Sequence, residues 1–124
     1  MTREQAQRRL RRADRLRSAR DYARVAREGE RRASEHFVLL VAPQRGPGSE
    51  GRTVPRLGLT VSRRVGPAVV RSRVKRRIRE TFRARRGLLP GSADVVVIAR
   101  PGAGALDARA ATTELAALFE GGAR

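Results

Sequence analysis

A chain of 124 residues is long enough for one compact domain with a modest core and too short for two. Lys and Arg number 29 against 12 Asp and Glu, a formal net charge of +17, which points to a polyanionic partner. The chain has no cysteine, which excludes disulfides, zinc ribbons and thiol nucleophiles, and it offers neither an apolar run of ~18 residues nor an amphipathic helix suited to a membrane.

Residues 1–17 are charge-dense, with only Leu10 and Leu16 as large apolar side chains, and read as a flexible basic arm. Met1 to Arg20 lacks the apolar core of a signal peptide, so a cytoplasmic protein is expected. A single domain over 18–120 follows, with 121–124 as a tail. Ser18 and Asp21 form a capping-box variant ahead of Tyr22, Val25 and Ala26, predicting a first helix over Arg20 to Glu28 with Gly29 as its C′ residue. His36 to Ala42 is a short apolar run of strand length. The segment from Pro43 to Pro55, rich in Gly and Pro, is a surface loop.

Leu57, Leu59 and Val61 alternate with Gly58 and Thr60, the period of a strand with one face on a core. Gly66-Pro67 opens a second helix, with Pro67 at its first position. Val70, Val74, Ile78 and Phe82 mark its buried stripe, Arg71, Arg73, Lys75, Arg76, Arg79 and Arg83 its remaining surface, and Gly87 its end. Asp94 to Ala99 is a β-branched strand, and Leu106 to Phe119 a helix with Leu115, Leu118 and Phe119 on one side.

Catalysis by the chain itself finds no constellation to carry it. His36 is the only histidine and opens a strand, and no Ser-His-Asp set, H-E-x-x-H or P-loop occurs. Asp94 and Glu80 are the best candidates for a carboxylate-bound metal, yet both read as salt-bridge partners. On charge alone, a general RNA-binding or ribosome-associated protein, a metal-dependent nuclease or a DNA-binding protein would also fit. For the second helix, a merely solvated cationic face is disfavoured, because like charges four residues apart repel by ~0.2–0.5 kcal/mol per pair and phosphates would relieve it.

Residues 56–83 carry a more specific signal. Arg71, Ser72, Arg73, Lys75, Arg76 and Arg79 stand in the pattern R-S-R-x-K-R-x-x-R, preceded by Arg56-Leu57-Gly58-Leu59 and Val61-Ser62-Arg63-Arg64-Val65-Gly66 and followed by Asp94 to Pro101. With Leu16, Asp21-Tyr22, Val25, Gly29 and Phe37-Val38-Leu39 upstream, about 90 of the 124 residues resemble the protein subunit of bacterial ribonuclease P. The resemblance implies an α+β fold: a single-domain α/β sandwich whose central, mostly antiparallel four-stranded sheet carries three helices and a left-handed β-α-β crossover. One of those strands is not resolved by the patterns above.

In function, the resemblance implies an accessory subunit whose partner RNA cuts the 5′ leader from precursor tRNA. No cofactor would be tightly bound by the protein, and Mg²⁺ would be held by the RNA. Partners would be the catalytic RNA, in a 1:1 ribonucleoprotein, and precursor tRNA, with no membrane. Arg63, Arg64, Arg71, Ser72, Arg73, Lys75, Arg76 and Arg79 would contact the catalytic RNA, and Tyr22, Phe37, Val38 and Leu40 would line a cleft for the leader. The family usually has Asn where Ser72 stands, and aromatics often occur where Ala26 and Leu40 stand. Electrostatics should therefore outweigh base stacking, which is worth ~1–3 kcal/mol per base.

Overall fold

The computed structural model describes residues 12–16, 18–46 and 48–121. Its regular elements are α1 (Ala19–Glu28), β1 (Glu30–Ala33), β2 (Phe37–Pro43), β3 (Arg56–Val61), α2 (Ala68–Arg85), β4 (Ala93–Ala99) and α3 (Ala108–Phe119). The strands form one sheet in the order β1-β2-β4-β3. β1 and β4 each pair antiparallel with β2, while β3 runs parallel to β4. A parallel pair cannot be joined by a tight turn, so α2 spans the connection as a crossover.

Strand alternation divides the core between the two faces. Phe37 and Leu39 of β2 and Val95 and Val97 of β4 join Val74, Ile78 and Phe82 of α2 and Leu115, Leu118 and Phe119 of α3. The Phe82 and Phe119 rings meet at 6.1 Å and 60°. Val38, Leu40, Ala42 and Val96 face the other way, where they pack with Val25 of α1 and with Leu16. The result is α1, sheet, and α2 with α3, in three layers.

Several expectations are corrected. The unresolved strand is β1, immediately after α1 and away from the Gly/Pro loop. Its sequence, Glu-Arg-Arg-Ala, has neither alternation nor β-branched residues, and only pairing with β2 makes it a strand. Gly29 is extended (φ −75°), not left-handed, because the chain passes straight into β1. Pro67 is the N-cap of α2 and not its first residue, and the helix ends at Arg85, with Arg86 as its C-cap opening a 3₁₀ turn over Arg86–Leu88 that contains Gly87.

The boundary of the basic arm also moves. Residues 12–16 belong to the packed domain: Leu16 is buried, and its N–H donates to Leu57 O at 2.9 Å on the outer edge of β3. Asp14 is buried and pairs with Arg52 at 2.8 Å and Arg86 at 3.4 Å. Neither contact is visible in a stretch read by charge alone. The rest of the predicted arm, residues 1–11 and 17, lies outside the described residues, as do 122–124 of the predicted tail.

Charged groups also fasten the layers. Glu114 of α3 accepts from the Ser34 hydroxyl, from the His36 backbone N–H at 2.7 Å, and faces His36 Nδ1 at 2.7 Å. Burial would raise the Glu114 carboxyl, but the hydrogen bonds from Ser34 and His36 outweigh it and hold it below its ordinary 4.5. A depressed carboxyl contributes stability that is full above the unfolded value and is lost as pH falls through the folded one. The urea midpoint should therefore fall on acidification below pH 4.5, and less steeply in Glu114→Gln. Identical acid profiles for the two proteins would contradict this role.

Candidate nucleic-acid interface

The geometry of α2 begins at Gly66. Its φ is 154°, and a Cβ there would lie 2.9 Å from the Val70 side chain, so glycine lets the 3₁₀ turn over Arg63–Val65 fold directly onto the helix start. Arg71 Nε donates back to Gly66 O at 3.2 Å and braces the junction. Burial of Val74, Ile78, Thr81 and Phe82 then fixes the rotation of α2.

That rotation presents the predicted cations outward. Arg63, Arg64, Ser72, Arg73 and Arg76 are exposed, while Arg71, Lys75 and Arg79 are half-buried. No acidic side chain among the described residues pairs with any of these seven cations, whereas Arg77, on the same helix, meets Glu80 at 3.1 Å. The unpaired set is therefore concentrated on one surface that a polyanion can cover.

At the free edge of β3 this surface meets a groove of about 150 Å³ lined by Arg15, Leu16, Tyr22, Leu57, Leu59, Lys75 and Arg79. Partial burial, and then the positive charges of Arg15 and Arg83, push the Arg79 guanidinium below its ordinary value. Arg15 also borders a larger groove beside the start of α1, shared with Arg20, Arg45 and Asp21. Arg15 thus links the cations of α2 to those near α1. It was not among the expected contacts, since within a uniformly basic arm no sequence signal separates it from its neighbours.

Tyr22 caps the same edge. Its hydroxyl accepts from the Leu59 N–H at 2.8 Å and donates to Leu59 O at 3.2 Å, satisfying both backbone groups of an unpaired strand edge. The ring lies over Gly58, where a Cβ would sit 2.8 Å from it. Tyr22→Phe leaves the Leu59 N–H without this acceptor, so it should lose about 1–3 kcal/mol in urea unfolding and speed exchange of the Leu59 amide. Unchanged exchange at Leu59 would contradict the cap.

On the α1 side, cross-strand register aligns Thr60, Ile98, Val38 and Ala33 in one row. Thr60 is exposed and Ile98 half-buried, so the β3–β4 end of this row is the open part of the sheet surface, while Val38 is buried. Leu40 lies one row deeper, buried with Val25. Phe37 is a correction: it cannot share a face with Val38, its neighbour in the strand, and it is 1% exposed beneath α2 and α3. The structure therefore brings Tyr22 together with Lys75 and Arg79, places Val38 and Leu40 on the α1 face, and removes Phe37 to the opposite side.

Comparison with known proteins bears on what this surface serves. The profile of the family described as Ribonuclease P matches residues 10–121. The chain belongs to the ribonuclease P protein family. It is 42% identical over 112 residues to the ribonuclease P protein component of Desulfovibrio desulfuricans, spanning 89% of this chain and 83% of that one. With the component of Syntrophobacter fumaroxidans it shares 43% identity, covering 90% and 89%. The structure of the RNase P protein from Thermotoga maritima superposes with a TM-score of 0.72 at 33% identity, covering 86% of this chain and 94% of that one.

Ribonuclease P processes tRNA 5′ ends by RNA catalysis, and the chain is its accessory protein subunit, which disfavours a general RNA-binding or ribosome-associated role. The four-stranded, mostly antiparallel sheet with three helices is that of the ribonuclease P proteins. Partnership with the ribonuclease P RNA follows from the family. The acidic candidates are engaged elsewhere: Asp94 is fully buried between Arg24 and Arg56, and Glu80 pairs with Arg77. No cluster of three or more His, Cys, Asp or Glu suited to a metal ion occurs among the described residues, and none of their helices is long and apolar enough to cross a membrane.

Proposed function

We propose that the chain acts in the cytoplasm as a 1:1 complex with the ribonuclease P RNA, gripping that RNA through α2 and the 5′ leader of precursor tRNA along the β3 edge. One observation carries the reading: Tyr22, Lys75 and Arg79 line a single groove continuous with the unpaired cations of α2. Arg63, Arg64, Arg71, Arg73 and Arg76 neutralise phosphates of the catalytic RNA, with the Ser72 hydroxyl among them as a hydrogen-bonding group. Lys75, Arg79 and Arg15 hold phosphates of the single-stranded leader. Tyr22, with Thr60 and Ile98 at the open end of that row and Val38 and Leu40 beneath, supports its bases.

The protein in this reading binds no cofactor tightly, and the Mg²⁺ ions that activate water sit on the RNA. The protein's cations lower the ion concentration needed to hold the two polyanions together. The test is the affinity of the reconstituted holoenzyme for precursor tRNA with a leader compared with mature tRNA. Tighter binding of the precursor, with the advantage reduced by Lys75→Ala and Arg79→Ala together, is the expected result. Equal affinity for both RNAs would overturn the leader assignment.

A further inference from the structure

A further concavity lies against α2 and the segment that leads into α3. It encloses about 310 Å³, at the lower end of the roughly 300–1,000 Å³ range of ligand pockets. Phe37, Val74 and Ala111 form a buried apolar floor, and Arg73 and Arg77 stand among the lining residues. Arg73 is exposed, has no acidic partner among the described residues, and makes one long hydrogen bond to Gly104 O at 3.3 Å. Arg77 donates through one terminal nitrogen to Glu80, but its Nε is buried with no hydrogen-bond partner.

An apolar floor beneath a cationic wall is the complement of a nucleotide: a base to cover Phe37 and Val74, and a phosphate to accept from the exposed Arg73. Asp107, also in the wall, would repel a phosphate, which fixes the polarity of the ligand toward the α2 side. Arg73 belongs both to this pocket and to the cationic surface of α2, so a strand of RNA lying on that surface passes the pocket mouth. Single-stranded nucleotides with splayed-out bases are what proteins read in RNA. We infer that the pocket between α2 and α3 captures one unstacked nucleotide of the bound ribonuclease P RNA.

The inference rests on α2 being the RNA-binding surface, and the experiment separates the two. Ala108 also lines the pocket and is exposed at the start of α3, so Ala108→Leu fills the space without touching an arginine. A bacterial ribonuclease P RNA is titrated with the native chain and with Ala108→Leu, and base accessibility is mapped with dimethyl sulfate. The expected result is a loss of at least about fivefold in affinity, the lower end of the ~1–3 kcal/mol that one stacked base contributes. One or two bases protected by the native chain should become reactive, while protection of the RNA backbone by the α2 surface, read in parallel by hydroxyl-radical cleavage, persists. Native affinity and an unchanged base pattern would overturn the pocket and leave the α2 surface standing. Absence of RNA binding by the native chain would overturn both. Millimolar adenosine monophosphate that occupies the pocket, with no protected base in the RNA, would overturn its assignment to the RNA partner. If Ala108→Leu unfolds by circular dichroism, Ala105→Leu fills the same pocket from the preceding 3₁₀ turn and is read by the same outcomes.

Discussion

Asp94→Ala should destabilise the protein by about 3–5 kcal/mol, a large share of the roughly 5–15 kcal/mol that holds a typical domain folded. Asp94 is fully buried, and its two oxygens take Arg56 through Nε at 2.7 Å and Nη2 at 2.8 Å while also accepting from Arg24. Arg24 and Arg56 also donate to Pro43 O at 2.9 Å and Arg45 O at 3.0 Å, so the cluster ties α1, the end of β2 with the loop after it, β3 and β4 together. The hydrogen bond to Asp94 raises the Arg56 guanidinium further, against the opposing effect of burial. Removing the carboxylate leaves two buried cations facing each other, with Asp21 at 3.4 Å and Glu28 at 3.9 Å as the nearby anions on Arg24. Urea unfolding with an unchanged m-value and a strongly lowered midpoint is the expected observation. A loss below about 1 kcal/mol would show that the cluster is solvated and not structural.

Arg73→Ala combined with Arg76→Ala should weaken binding of the ribonuclease P RNA by roughly 25- to 60-fold at 0.1 M salt. The salt dependence gives this figure: each phosphate contact contributes about 0.7–0.9 to the log-log slope, so the slope itself should fall by about 1.4–1.8. The two side chains are exposed, one helical turn apart, with no acidic partner among the described residues. Removing them relieves repulsion in the free protein, so its stability should stay the same or rise slightly. Opposite signs for stability and binding separate a phosphate-binding surface from a structural one. Filter binding across a salt series supplies the test, and an unchanged slope would remove these residues from the interface.

Much of this organisation is legible in the residues because local and tertiary demands agree. The four-residue spacing of Val70, Val74, Ile78 and Phe82 sets both the existence of α2 and its buried side, and the cations fall on the remainder by exclusion. Asp94 and Glu80 are readable as ion-pair partners from their basic surroundings, and both are. What was not legible depends on distant partners. β1 is a strand only because β2 offers an unpaired edge, and Asp14, Arg15 and Leu16 are placed by distant partners that include Arg52, Arg86, Leu57 and the core under α1. Phe37 illustrates a different failure: period-two alternation already forbids it from sharing a cleft with Val38 and Leu40, and the family resemblance, not the strand's own pattern, assigns it there. The same displacement puts its ring in the floor of the second pocket.

The central claim, that this chain is the subunit through which the catalytic RNA holds its substrate, is tested most directly by 5′ leader removal from precursor tRNA at low Mg²⁺. A bacterial ribonuclease P RNA, the chain alone, and the two combined are compared under multiple turnover. The account predicts cleavage only in the combined sample, with the protein's effect shrinking as Mg²⁺ is raised. Cleavage by the chain alone, or no stimulation of the RNA at any Mg²⁺ concentration, would contradict it.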